Sequence, residues 1–285
     1  MRIIITISFI LGMLKASGQV LIDTTKYYET ANVGTVKQIT NNEVCAIVVF
    51  VSSPQNNWEM KNKKKVLNRD RRAFKKINNE LKKYNVNLNI HFEIFNLDQD
   101  FKIDSIVDYK NPPVVRDPLN KSNEYKKNNA KKIWTFYSNS EIPFFKKEEY
   151  LLFEGGYFLI IYHEGLGVST ASPALLNGYE EQILPEHITV FEFDQNWRKK
   201  NKNVTAHETL HLFGAWDIYK NTTYGFQNEE YNFILERYPR SIMRTSKQTD
   251  IDDITAWRIG INNNPQPWFL ETVPRIYHKN FHVKQ

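Results

Sequence analysis

Residues 44–51 (Val-Cys-Ala-Ile-Val-Val-Phe-Val) form an unbroken apolar run. A strand buried on both faces has no wet side to alternate with, so the run predicts an inner strand of a sheet. The period then changes. Leu67, Phe74, Ile77, Leu81 and Tyr84 recur at spacings of three, four and seven, which predicts a long helix over 58–84 with one apolar face. Lys61, Lys63, Lys64, Lys65, Arg69, Arg71, Arg72, Lys75 and Lys76 fill its other positions and read as the solvated back of a helix packed on a sheet. Residues 86–97 alternate, with Leu88, Ile90, Phe92 and Ile94 on one face and His91 on the other, exposed face.

Two further buried strands are predicted over 157–162, ending at His163, and over 187–193. Residues 165–172 between them read as an exposed edge strand. Residues 194–203 lead into a short helix that Asn203 or Thr205 can cap. Leu210, Leu212 and Phe213 should point into the body. A helix is predicted over 228–237, then a tight turn opened by Pro239 and Ser241. Residues 250–261 carry acids in the first turn and Ile254, Trp257 and Ile261 at helical spacing. Strands interleaved with helices predict an α+β fold: a mixed, twisted sheet with packed helices.

The 285 residues, 41% hydrophobic and 14% aromatic, suit a globular chain. Residues 98–156 fit no regular element well. They hold Asn111-Pro112-Pro113 and an Asn/Lys-rich run at 120–132, and read as an insertion with a short helix near 123–132. No internal repeat appears. Residues 264–285 form a Pro-containing tail, where His278 and His282 lie four apart without an acid in the right frame.

The first 18 residues have the form of a secretory signal: Arg2, an apolar run from Ile3 to Leu14, and Ala16-Ser17-Gly18 at the cleavage position. Cleavage after Gly18 predicts a secreted or periplasmic protein. The apolar run is too short to span a bilayer comfortably, and no other stretch is long and apolar enough. Residues 19–43 are then a polar N-terminal arm, too short for a folded prodomain. The leader removes Arg2 and Lys15 from the 38 basic side chains, leaving 36 against 32 acidic ones. That excess of four does not call for a nucleic-acid partner. Cys45 is the single cysteine, so no intramolecular disulfide forms, and its place in an apolar run reads as core packing.

Residues 206–217 (Ala-His-Glu-Thr-Leu-His-Leu-Phe-Gly-Ala-Trp-Asp) carry the candidate chemistry. His207 and His211 lie one helical turn apart on one face and can share a metal ion. Glu208 is too close to His207 to join that chelate easily and is placed to act as a proton acceptor for water. Gly214 can take a left-handed conformation, end the helix and reverse the chain, which carries Asp217 back as a third, anionic ligand. Three protein ligands leave the fourth position open, as catalytic zinc sites do.

This segment resembles the metzincin clan of zinc endopeptidases, whose signature is HExxHxxGxx followed by a third ligand. Aspartate as that ligand resembles the snapalysin-like branch, which also has a Tyr two residues later; Tyr219 matches it. Ser241-Ile242-Met243-Arg244 resembles the clan's Met-turn, with Met243 lying 32 residues after His211. Many relatives place a Tyr two residues beyond this Met; Thr245 stands there instead.

The resemblance implies one catalytic zinc ion, Glu208 as general base, and Tyr219 as a second-layer donor, oxyanion partner or packing residue. It also implies an upper subdomain over 44–214, a smaller lower one over 215–285 with the Met-turn and closing helix, and substrate binding by strand addition at the edge strand. The expected activity is hydrolysis of protein or peptide substrates. The alternative is a secreted binding or interaction protein on the same scaffold with little or no catalysis. A nucleic-acid binder using the basic helix is disfavoured by the signal sequence and the modest charge.

Overall fold

A computed structural model of the chain describes residues 43–52, 57–94, 101–102, 156–166, 168–172, 186–194, 198–218, 228–264, 266 and 269. The leader and nearly all of the arm, most of the 98–156 insertion, Tyr219 and the tail beyond residue 270 lie outside the described residues.

The fold is α+β, built on a mixed sheet. Strand β1 (Glu43–Ser52) is central and runs parallel to β2 (Asn89–Ile94) on one side and β4 (Tyr157–Leu166) on the other. The two-residue strand β3 (Phe101–Lys102) pairs with the end of β1, beyond the last β2 partner. Strand β6 (His187–Phe193) lies parallel to β4, and β5 (Thr170–Ser172) pairs antiparallel to β6 at the far edge. The order along the sheet is β2-β1-β4-β6-β5.

The β-branched and aromatic run of β1 is buried on both faces, as its lack of alternation requires. Val44, Ala46, Val48 and Phe50 share one core with Phe158, Ile160 and Tyr162 of β4 and Ile188 and Val190 of β6. Helix α1 (Met60–Leu81) covers that face through Val66, Leu67, Ala73, Phe74, Ile77 and Leu81, and a 3-10 turn (Lys82–Tyr84) continues it. Phe50 ties the layers together, with ring centroids 5.1 Å from Trp58 and 5.3 Å from Tyr162. Helices α2 (Val204–Leu212), α3 (Asn228–Arg237) and α4 (Asp253–Arg258) follow the sheet. No helix among the described residues is long and apolar enough to cross a membrane.

Several boundaries and environments differ from the pattern reading. Strand β4 runs on to Leu166, so His163 lies inside the strand and not at its end. It is buried, with its ring stacked on Phe191 at 4.8 Å. The edge strand is only Thr170–Ser172, because Gly165 and Leu166 belong to β4. Two basic residues assigned to the wet back of α1 are inside: Lys63 lies 5.5 Å from the Phe50 ring centroid, and Arg69 bonds to Asp70 and Glu192. The last helix is confined to Asp253–Arg258, since the Asp252 carboxylate caps it by accepting from Thr255 N–H. His91, expected on the exposed face, is half-buried and lies 3.4 Å from Glu43. Leu210, Leu212 and Phe213 are in the core, and Cys45 is a buried free thiol.

Candidate metal centre

Helix α2 is short and almost wholly buried, so tertiary contacts and not propensity hold it. Asn203 occupies its N-cap position, but its side chain donates to the carbonyls of Lys247 and Gln248 instead of capping. Thr205 does not cap either. Its hydroxyl donates to Asp70 of α1 at 2.9 Å. The far end closes with N–H groups of Phe213 and Ala215 on the Leu210 carbonyl and Gly214 N–H on that of His211. Gly214 has φ of 100°, a backbone shape that a Cβ would oppose.

Beyond this bend the chain returns. Asp217 Oδ1 lies 3.2 Å from His207 Nε2 and 3.2 Å from His211 Nε2. Two ligands of a tetrahedral zinc ion, each about 2.0–2.1 Å from it, stand about 3.3–3.4 Å apart. Both carboxylate–imidazole distances are therefore close to the edge of such a tetrahedron. His207, Glu208 and His211 also form a group able to hold a metal ion, with ligand atoms within 4.8 Å of one another. The two groupings share both imidazoles and differ in the carboxylate. Asp217 Oδ1 is at ligand–ligand distance from both rings, and Glu208 is adjacent in sequence to His207.

The protonation pattern points the same way. His207 Nδ1 lies 2.8 Å from the Ile242 carbonyl and His211 Nδ1 lies 2.8 Å from the Ala215 carbonyl. A carbonyl only accepts, so each Nδ1 carries hydrogen, and each ring presents Nε2 to Asp217. Asp217 Oδ1 is buried and has no hydrogen-bond partner among the described residues. Two ring nitrogens and a carboxylate oxygen thus face one another, an arrangement that a positive charge between them satisfies.

A proton is one such charge. Burial alone would lower the His211 pKa, but Asp217, joined by Glu208 and the Ala215 carbonyl, outweighs it and raises the ring to about 9. Burial alone would raise Asp217, but His211 and His207 hold it well below the usual carboxylate range. A metal cation competes for the same place. The side chains of His211 and Asp217 are 17% and 24% exposed, whereas that of His207 is 3% exposed, so the site opens on the Asp217 side.

A turn at 241–244 supports the site from below. The Ile242 carbonyl accepts from His207, and the next carbonyl, that of Met243, accepts from Ile218 N–H at 2.9 Å. One turn thereby holds both the helix and the returning segment. The turn is itself pinned: Ser241 Oγ accepts from Met243 N–H and donates to Asp252. Met243 is fully buried. Beside Asp217, the Arg258 guanidinium stacks 3.4 Å above the Trp216 ring.

The carbonyls of Ile242 and Ala215 escaped sequence reading, since any residue supplies one. Lys200 also escaped: burial lowers its pKa, and the charge of Glu208 acts against that shift. Asp70 left a signal, an acid at 70 inside the helical stripe 67–74–77. Tyr219 lies outside the described residues. No protein-family model matches the chain, and comparison with curated proteins finds no match either. Geometry and donor chemistry therefore carry the functional reading.

Proposed function

We propose that the chain is a secreted or periplasmic zinc-dependent endopeptidase of the metzincin kind, with His207, His211 and Asp217 holding one zinc ion and Glu208 acting as general base. One observation carries the reading: His207 Nε2, His211 Nε2 and the orphaned Asp217 Oδ1 converge at 3.2 Å, with both rings oriented by backbone carbonyls. Two imidazoles and a carboxylate suit zinc among the available divalent ions. When bound, zinc supplies Lewis-acid chemistry, making water more acidic and polarising a carbonyl.

The chain's own residues do the rest. Glu208 follows a ligand on the same helix, and its carboxylate is within 4.8 Å of both ring nitrogens. It takes a proton as water adds to the scissile carbonyl carbon, and passes it to the amine nitrogen as the C–N bond breaks. The turn at 241–244 is the counterpart of the Met-turn. Strand β5, last in the sheet order among the described residues, is where an extended substrate backbone would add. Secretion rests on the pattern of the first 18 residues.

The test is metal analysis of the purified protein with peptide-library cleavage, with and without a chelator, on the wild type and Glu208→Gln. About one zinc per chain is expected. Cleavage should be lost on chelation and should fall at least about 10²-fold in the variant, at unchanged metal content. A metal-loaded wild type without peptidase activity favours the binding-protein alternative. A variant that cleaves at the wild-type rate removes Glu208 as the base.

A further inference from the structure

Behind helix α2 lies a buried polar cluster that the proposed chemistry does not use. Its hub is Asp70 of α1, fully buried in a largely apolar face. Asp70 Oδ2 accepts from the hydroxyl of Tyr162 on β4 and from Thr205 Oγ on α2, while Oδ1 accepts from Arg69 Nε at 3.0 Å. Arg69 reaches on to Glu192 of β6 at 2.9 Å, and the other oxygen of Glu192 meets Lys199 at 2.7 Å. Asp70 thus joins α1, β4 and α2, and Arg69 extends the cluster to β6 through Glu192.

Burying a carboxylate is costly, and here burial does push the Asp70 pKa up against three hydrogen bonds that pull it down. Apolar packing alone would hold α1 on the sheet at lower cost. What the cluster adds is direction. Thr205 stands two residues before His207, and its carbonyl accepts from Thr209 Oγ within the helix at 2.8 Å. The rotation of α2 about its axis is then gripped from both sides, by Asp70 through Thr205 and by the Ile242 carbonyl through His207.

We propose that Asp70 is a positioning residue for the metal centre: through Thr205 it sets the rotation of α2 and so the aim of His207 and His211 at Asp217. This rests on the metal reading above. Asp70 reaches no ligand directly. Its effect is on how well three donors converge, which a spectroscopic metal reports better than turnover does.

The test loads the full chain with cobalt(II) after chelation. Affinity is read by titration and the ligand field from the visible bands. Thr205→Val keeps the shape and removes the one hydroxyl that links the hub to α2. Thr189→Val, another buried threonine in β6, is the control. Thr205→Val should bind cobalt(II) about tenfold more weakly or worse, as loss of an orienting partner does, with shifted bands; the control should match the wild type. Asp70→Asn should do the same or more, and if it fails to fold, Thr205→Val decides alone. A folded Thr205→Val with wild-type affinity and spectrum overturns the inference and leaves the metal site standing. A wild type that takes up no cobalt(II) overturns the metal reading, and this inference with it.

Discussion

Removing the metal should expose a pH dependence that Asp217 creates. In the metal-free protein His211 has its pKa raised from 6.5 to about 9: burial lowers it, and Asp217, with smaller help from Glu208 and the Ala215 carbonyl, more than reverses that. At about 1.4 kcal/mol per pH unit, that rise is on the order of 3 kcal/mol of differential interaction. Both side chains are less than a quarter exposed, so screening removes little of it. The sign follows from linkage. Below pH 6.5 the ring is charged in folded and unfolded chains alike, and the contribution is complete. Between 6.5 and about 9 the unfolded chain has lost the proton that the folded chain keeps, so stability falls, and above about 9 the contribution is gone.

The perturbation is Asp217→Asn, and the assay is thermal unfolding in chelator across that window. Stability of this order moves Tm of a chain this size by roughly 5–10 °C. The wild type should lose about that much on going from the acidic to the alkaline end relative to the variant, whose other titrating groups are the same. Saturating zinc should abolish the difference in slope, because a ring with Nε2 engaged has no proton to lose, and should raise Tm throughout. Parallel wild-type and variant profiles in chelator would refute the pairing of His211 with Asp217.

Gly214→Ala places a Cβ at φ of 100° and should cost about 1–3 kcal/mol in Tm-derived stability, with weaker zinc uptake because the bend aims Asp217. Unchanged Tm and zinc affinity would separate the bend from the site. The Cys45 thiol has its pKa pushed up to about 12, first by burial and then by Glu93. Iodoacetamide at mildly alkaline pH should therefore leave the native protein unlabelled and modify it once unfolded; equal rates in the two states would contradict the packing of β1.

The elements that patterns revealed are those whose partners are apolar and generic. The run at 44–51 needs only a buried slot, and the stripe through Leu67, Phe74, Ile77 and Leu81 needs only an apolar sheet. The spacing of His207, Glu208, His211, Gly214 and Asp217 was legible because one helical turn and one reversal bring them together locally. What patterns misplaced depends on a specific distant partner. Arg69 reads as wet until Glu192, 123 residues on, is brought beside it. Thr205 reads as a cap until Asp70, 135 residues back, takes its hydroxyl. His163 reads as a strand end until Phe191 offers a ring to stack on.

The support of the candidate centre was illegible for a different reason. Its orienting groups are main-chain carbonyls: Ile242 for His207, Ala215 for His211, Met243 for the segment after Asp217. Such groups exist at every position, so the site reads the path of the chain and not the side chains along it. A change of apolar side chain at 242 leaves the acceptor in place, whereas one residue inserted between Met243 and Asp250 would move it. That path is set by side chains outside the centre, Ser241 and Asp252 pinning the turn and Gly214 permitting the bend. The residues that make the geometry are therefore not the ones that would touch an ion, and of them the short motif records only Gly214.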